Sequence, residues 1–255
     1  MKSLNSKIKK IINDSSFLFS DNDKNFIKRI YSNGIKRYLS RISMINFTNG
    51  ERVLDAGCGF GQWSIALAKQ NNQVESIDPC KLRIDTLKKI ICSLGMKNIN
   101  TRVLKLEEID YPDNSFDSIF CYSVIFRSNP EIAIKKFKKI IRPGGKLYLC
   151  SNGLGWYLYN IIESPNKALN FDPSLAAIGG INRAINKSVT NKYNDFDDII
   201  SSERLSSILI DYNFKLDYVG AEGTFSVNNN LNDPFFIGEY MGEEGVYEIL
   251  AKCSK

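Results

Sequence analysis

The run Val53-Leu54-Asp55-Ala56-Gly57-Cys58-Gly59-Phe60-Gly61-Gln62-Trp63 constrains the fold of this chain more than any other stretch. An apolar segment ends in a carboxylate, glycines stand at every second position, and Trp63-Ser64-Ile65-Ala66-Leu67-Ala68 then reads as the opening of a helix. The order is strand, tight turn, helix N-terminus. Glycine accepts positive φ and has no Cβ to hold a ligand away from the backbone. A helix start offers unpaired N–H groups and a positive dipole end to an anionic group. Asp55 sets a negative charge beside that donor-rich turn, a pairing that suits a ligand with both a cationic and an anionic group. A glycine-rich turn with no ligand is the alternative at this point.

The alternation continues along the chain. Strands are expected at Glu51–Asp55, Gln73–Asp78, Asn100–Leu104, Phe116–Cys121 and Lys146–Cys150. Helices are expected at Gln62–Gln70, Leu82–Leu94 and Pro130–Ile141, the last opened by a proline whose missing N–H is an orphan at a helix start anyway. Arg142-Pro143-Gly144-Gly145 should stop that helix. Residues 1–50 read as helical, with Ile27, Ile30, Tyr31, Ile35, Tyr38 and Ile42 in a stripe between Lys24 and Ile45. Asn33-Gly34 is a point where that helix bends or breaks.

From Ser151 to about Asp198 the alternation stops, and an insert begins with Trp156, Tyr157 and Tyr159. Ser201-Ser202-Glu203-Arg204 opens a further helix, Leu205–Tyr212. Lys215–Val219 and Val246–Lys252 read as the last strands, flanking a long loop with Asn228-Asn229-Asn230 and Asp233-Pro234. The expected fold class is α/β, a doubly wound, mostly parallel seven-stranded sheet of Rossmann-like type with helices before it and an insert after the fifth strand. With no repeat and no linker, residues 1–255 are expected to be one domain: helices over 1–50, a core over 51–150, an insert over 151–200, and a final helix and strand pair over 201–255.

Two further segments carry chemistry. Asp78 closes the second strand, where a carboxylate can accept both hydrogen bonds of a ribose diol. Capping of the next helix is its structural alternative. Leu104-Lys105-Leu106-Glu107-Glu108-Ile109-Asp110-Tyr111-Pro112-Asp113-Asn114-Ser115-Phe116-Asp117 is an acidic segment followed by a turn into the fourth strand.

Together with these segments, Asp55–Gly61 resembles the cofactor-binding motif of class I S-adenosylmethionine-dependent methyltransferases. The resemblance implies S-adenosyl-L-methionine as cofactor, with the glycine turn against its methionine part and Asp55 facing its amino group. It implies Asp78 on the ribose and extends the cofactor-binding set to Ala56, Gly57, Cys58, Gly59, Gly61, Pro79, Leu106, Glu107 and Cys121. Relatives often carry an aspartate for adenine where this chain has Lys105, which leaves Glu107 as the acceptor and Leu106 for a backbone contact. The resemblance further implies a cap formed by the N-terminal helices, with Tyr31, Arg37 or Tyr38 contributing, and an antiparallel pair at the end of the sheet. Asp55-x-Gly57-x-Gly59-x-Gly61 argues against a nicotinamide dehydrogenase, whose fingerprint is G-x-G-x-x-G.

Composition narrows the chemistry. The 255 residues, 43% hydrophobic and 24% charged, suit a globular chain, and no apolar run approaches the roughly 20 residues of a membrane span. Met1-Lys2-Ser3-Leu4-Asn5-Ser6 lacks a signal-peptide apolar core, so a cytoplasmic location is expected. The net charge of +6 comes from scattered lysines, so nucleic acid is not the expected partner. The six cysteines form no C-x-x-C pair, and no metal site is expected. With no histidine in the chain, a catalytic base has to be Asp, Glu, Tyr or Lys. Tyr122, at the end of the fourth strand, and Tyr157, Asp172 and Tyr240, in the insert and late loop, are the catalytic candidates, with Arg183 and Glu239 as further polar contacts. A small-molecule methyl acceptor is expected. An RNA or protein acceptor, or a cofactor-binding subunit without turnover, are the other readings.

Overall fold

The computed structural model describes residues 2–168, 171–190, 199–227 and 234–254, and the chain forms two compact units, Met1–Lys105 and Leu106–Lys255. The first holds helices α1 (Lys2–Ser15), α2 (Asp21–Tyr31) and α3 (Lys36–Met44), then β1 (Arg52–Ala56), α4 (Gln62–Ala68), β2 (Gln73–Asp78), α5 (Lys81–Leu94) and β3 (Ile99–Val103). Its strands run parallel in the order β3-β2-β1, with Asp55 opposite Ser76 and Ala56 opposite Ile77. Both β1 and β2 are buried over most of their length, as strands covered on two faces must be.

The stripe from Lys24 to Ile45 is two helices. Ser20 caps α2 by accepting the Asp23 N–H, α2 ends at Tyr31, and Gly34 turns the chain at φ 70° before α3 starts at Lys36. α5 ends on Gly95 in the left-handed region.

The second unit holds β4 (Phe116–Tyr122), α6 (Pro130–Ile140), β5 (Ile141–Asn152), α7 (Leu154–Ile162), α8 (Pro173–Thr190), α9 (Ser202–Asp211), β6 (Phe214–Ala221), a short β7 (Glu239–Tyr240) and β8 (Glu243–Glu244) pair, and β9 (Val246–Cys253). Strand order is β4-β5-β9-β6, with β9 antiparallel to both neighbours. The seven long strands and their flanking helices give the expected α/β class with a mostly parallel sheet. Asn129 caps α6 by accepting the Glu131 and Ile132 N–H groups, with Pro130 at the first helical position. The helix stops before Arg142, but strand β5 begins at once. Ile141 pairs with Phe116 and Lys146 with Ser118, so Arg142–Gly145 forms a bulge.

The described part of the insert is the helix pair α7 and α8, Tyr157 of one lying against Gly180 of the other. Residues 191–198, Asn228-Asn229-Asn230 and Asp233 lie outside the described residues. Among the described residues, no helix is long and apolar enough to cross a membrane.

Candidate functional site

The glycine turn of the first unit is built on backbone hydrogen bonds. The Gly57 and Cys58 N–H groups both donate to the Ile77 carbonyl at 2.8 Å, and the Gly61 N–H donates to the Cys58 carbonyl at 2.9 Å. Gly59 and Gly61 sit at φ 55° and 87°, where a side chain is strained. A Cβ on Gly61 would also overlap Leu87 Cδ1 of α5. Cys58 packs with Ile84 and Leu87, which fixes α5 beneath the turn.

Asp55, 1% exposed, accepts a 2.6 Å hydrogen bond from the Ser64 hydroxyl in the first turn of α4. Burial pushes its carboxyl up to about 7; Ser64 pulls against that rise and the charge of Asp78 adds to it. Asp78 Oδ2 accepts the Gly59 N–H at 3.0 Å and Oδ1 accepts the Cys80 N–H at 2.8 Å, so one side chain ties the turn to the start of α5. Burial raises this carboxyl too, against the Cys80 and Gly59 N–H groups and the Arg83 charge. Gln62 follows the last glycine, and its buried Oε1 has no hydrogen-bond partner among the described residues. Ala56 is buried and Pro79 exposed.

Helix α2 lies on this turn. The Tyr31 hydroxyl donates to the Phe60 carbonyl at 2.8 Å, and the Phe26 ring faces the open side of Gly59. Arg83 binds Asp23 through Nε and Nη2, at 3.1 and 2.8 Å, and its guanidinium lies over the Phe60 ring. The Tyr38 hydroxyl donates to the Ile30 carbonyl, and its ring meets Trp63 edge-on at 4.8 Å. Tyr31 and Tyr38 are thus packed between the N-terminal helices, the turn and α4. Sequence reading missed Ser64, Gln62, Phe26 and Arg83; only the first two stood next to the motif.

In the second unit Leu106 and Cys121 are buried, and Glu107 Oε1 accepts the Asn129 N–H at 2.8 Å, which steadies the start of α6. Tyr122, half-buried at the carboxyl end of β4, donates from its hydroxyl to Glu222 Oε1 at 3.0 Å. The other catalytic candidates do structural work here. Tyr157 is buried between α7 and α8. Asp172 caps α8 through the Ser174 N–H and hydroxyl and pairs with Lys167; the Lys167 and Ser174 hydrogen bonds hold its carboxyl down at about 2. The Tyr240 hydroxyl donates to Glu163 at 2.6 Å, which holds its proton on.

A family model described as "Methyltransferase domain" matches residues 54–149, the stretch that holds both the glycine turn and the end of β4. Residues 54–149 carry a methyltransferase domain. Over 116 residues it is 34% identical to a ubiquinone biosynthesis O-methyltransferase of Coxiella burnetii, covering 44% of this chain and 49% of that protein. An aklanonic acid methyltransferase of a Streptomyces species is 33% identical over 106 residues, covering 40% and 48%. The chain thus spans about half the length of the curated relatives it matches. A solved S-adenosylmethionine-dependent methyltransferase from Methanosarcina mazei shares the fold, with a TM-score of 0.56 at 19% identity over 82% of this chain and 96% of that one.

The methyltransferase domain's residues fit S-adenosylmethionine on chemical grounds. A buried carboxylate and the orphaned Gln62 amide oxygen suit an ammonium group. Asp78 spends one lone pair of each oxygen on backbone N–H groups, and a carboxylate has about four such sites, so capacity is left for a diol.

Proposed function

We propose that this chain transfers a methyl group from S-adenosylmethionine to a small-molecule acceptor, either a metabolite or a sugar-containing surface-polysaccharide precursor. The observation that carries this reading is the pair of buried acids on one glycine turn, Asp55 bonded to Ser64 and Asp78 bonded to Gly59. In this reading Asp55 and Gln62 hold the cofactor's amino group and Asp78 its ribose. Ala56, Gly57, Cys58, Gly59, Gly61 and Pro79 form the wall around them. Leu106, Glu107 and Cys121 belong to the same set through the family resemblance. The chain is read as one domain, with residues 1–50 as its cap and 151–200 covering the acceptor.

S-adenosylmethionine, when bound, supplies a methyl group already activated on a sulfonium. The chain's own task is then to hold the acceptor in line, exclude water and remove a proton where the acceptor carries one. The reaction is placed in the cytoplasm, a reducing compartment that suits six cysteines held as thiols.

The test is equilibrium binding of S-adenosylmethionine, followed by transfer of labelled methyl groups to small-molecule, RNA and protein pools. Tight binding with label in the small-molecule pool is expected. Label confined to RNA or protein, or no cofactor binding, would overturn the reading.

A further inference from the structure

Behind Tyr122 the second unit holds a carboxylate that local sequence does not reveal. Glu222 follows β6, is 1% exposed, and accepts the Tyr122 hydroxyl on Oε1. Its Oε2 accepts the Phe235 N–H at 2.7 Å and the Phe236 N–H at 3.4 Å, so the carboxylate is fixed from both sides. The Tyr122 ring stacks parallel to Phe120 and Tyr148, while Phe235 meets it edge-on at 6.3 Å and Phe236 lies tilted at 6.5 Å.

The next residue, Ser123, sits at φ 55°, a strained conformation for a residue with a Cβ, held by its N–H to the Cys150 carbonyl. Its hydroxyl reaches toward buried Asn152 at the end of β5. Strain, a buried acid and a half-buried tyrosine therefore meet at the carboxyl end of a strand, where doubly wound sheets place their ligands.

We propose that Tyr122, backed by Glu222, takes the proton from an aromatic hydroxyl acceptor. This rests on the methyl-transfer reading above. A phenol alone is too weak a base to serve, but one bonded to a fixed carboxylate passes its own proton on as it accepts another. The acceptor oxygen bonds to the methyl carbon, and the carbon–sulfur bond breaks with its electron pair kept by sulfur. The acceptor's proton passes to Tyr122 Oη while the Tyr122 proton passes to Glu222, which later returns it to water. Phe235 and Phe236 give the flat apolar walls on which an aromatic ring packs. Tyr122 is the catalytic residue of the pair, and Glu222 acts through it.

Catechol and 4-nitrocatechol, the second largely ionised at pH 8, separate this role from a structural one. With catechol, Tyr122→Phe and Glu222→Gln should each lower kcat by roughly a hundredfold, with the KM for S-adenosylmethionine held within about threefold. With 4-nitrocatechol, which needs no base, kcat should change by less than about threefold, and Glu222→Asp should recover part of the catechol rate. Equal losses on both acceptors would make the pair structural and overturn the proposal. So would unchanged rates, or a wild-type chain that binds S-adenosylmethionine and methylates neither acceptor. A wild-type chain that does not bind S-adenosylmethionine would instead overturn the methyl-transfer reading itself.

Discussion

The hydroxyl of Ser64 lies 2.6 Å from a carboxylate oxygen of Asp55, nine residues earlier, and joins the end of β1 to the first turn of α4. Burial holds Asp55 up near 7, so the folded chain retains a proton that an unfolded aspartate releases near 3.8. The sign follows from that: the contribution of Asp55 to stability is fully present below about 4 and is lost as pH rises through 7. Cofactor binding runs the other way, because an ammonium group needs the ionised acid. Affinity for S-adenosylhomocysteine should fall toward tenfold per unit as pH drops below 7, measured by titration from pH 8.5 to 5.5. In Ser64→Ala the carboxylate loses its donor, and the midpoint of that fall should move to higher pH.

Gln62 has a buried amide oxygen left unpartnered among the described residues. Gln62→Leu should therefore raise the ligand-free melting temperature, by the equivalent of about 1 kcal/mol, and weaken S-adenosylhomocysteine binding by roughly tenfold. Differential scanning fluorimetry and calorimetric titration read the two effects separately. Unchanged affinity would place the ammonium elsewhere.

Gly61 cannot carry a side chain without pressing on Leu87. Gly61→Ala should destabilise the fold by about 2 kcal/mol or more, from positive φ and overlap together. Combined with Leu87→Ala, the total loss in chemical denaturation should be smaller than the sum of the single losses by about 1 kcal/mol. Strict additivity would mean that strain alone sets the effect.

Asp172 is a helix cap and ion-pair partner, so Asp172→Ala should lower the melting temperature while leaving cofactor affinity and methyl transfer unchanged. Its carboxyl lies below the ordinary aspartate value, so its stabilising contribution is present above about 4 and is lost as pH falls toward 2. A large loss of turnover in this variant would return it to the catalytic candidates.

The parts of the site legible in the sequence are those that local spacing dictates. Asp55, the glycines and Asp78 stand at strand ends, and the alternation of strand and helix placed those ends to within a residue or two. The long N-terminal stripe broke in two at Asn33-Gly34, where that pair pointed, because Gly34 takes a positive φ. The Arg142–Gly145 segment became a bulge because the pairing of β5 with β4 resumes at once on either side. Partnerships between distant residues were invisible for a physical reason. Tyr31 reaches Phe60 across 29 positions and Tyr122 reaches Glu222 across 100, and only the folded backbone sets such contacts. Asp172 looked chemical in isolation, although Ser174 and Lys167, which engage it, are both within a few residues.

Calorimetric titration of S-adenosylhomocysteine into the wild-type chain, Asp55→Asn and Asp78→Asn tests the cofactor site most directly. The wild-type chain should bind, and each variant should bind at least about tenfold more weakly. Asp55→Asn, which removes a buried charge and keeps an oxygen for Ser64, should unfold at the same or a higher temperature, whereas Asp78→Asn, which loses one of its two N–H acceptors, should unfold at a lower one. Wild-type affinity in both variants, or binding of NAD in preference to S-adenosylhomocysteine by the wild-type chain, would contradict it.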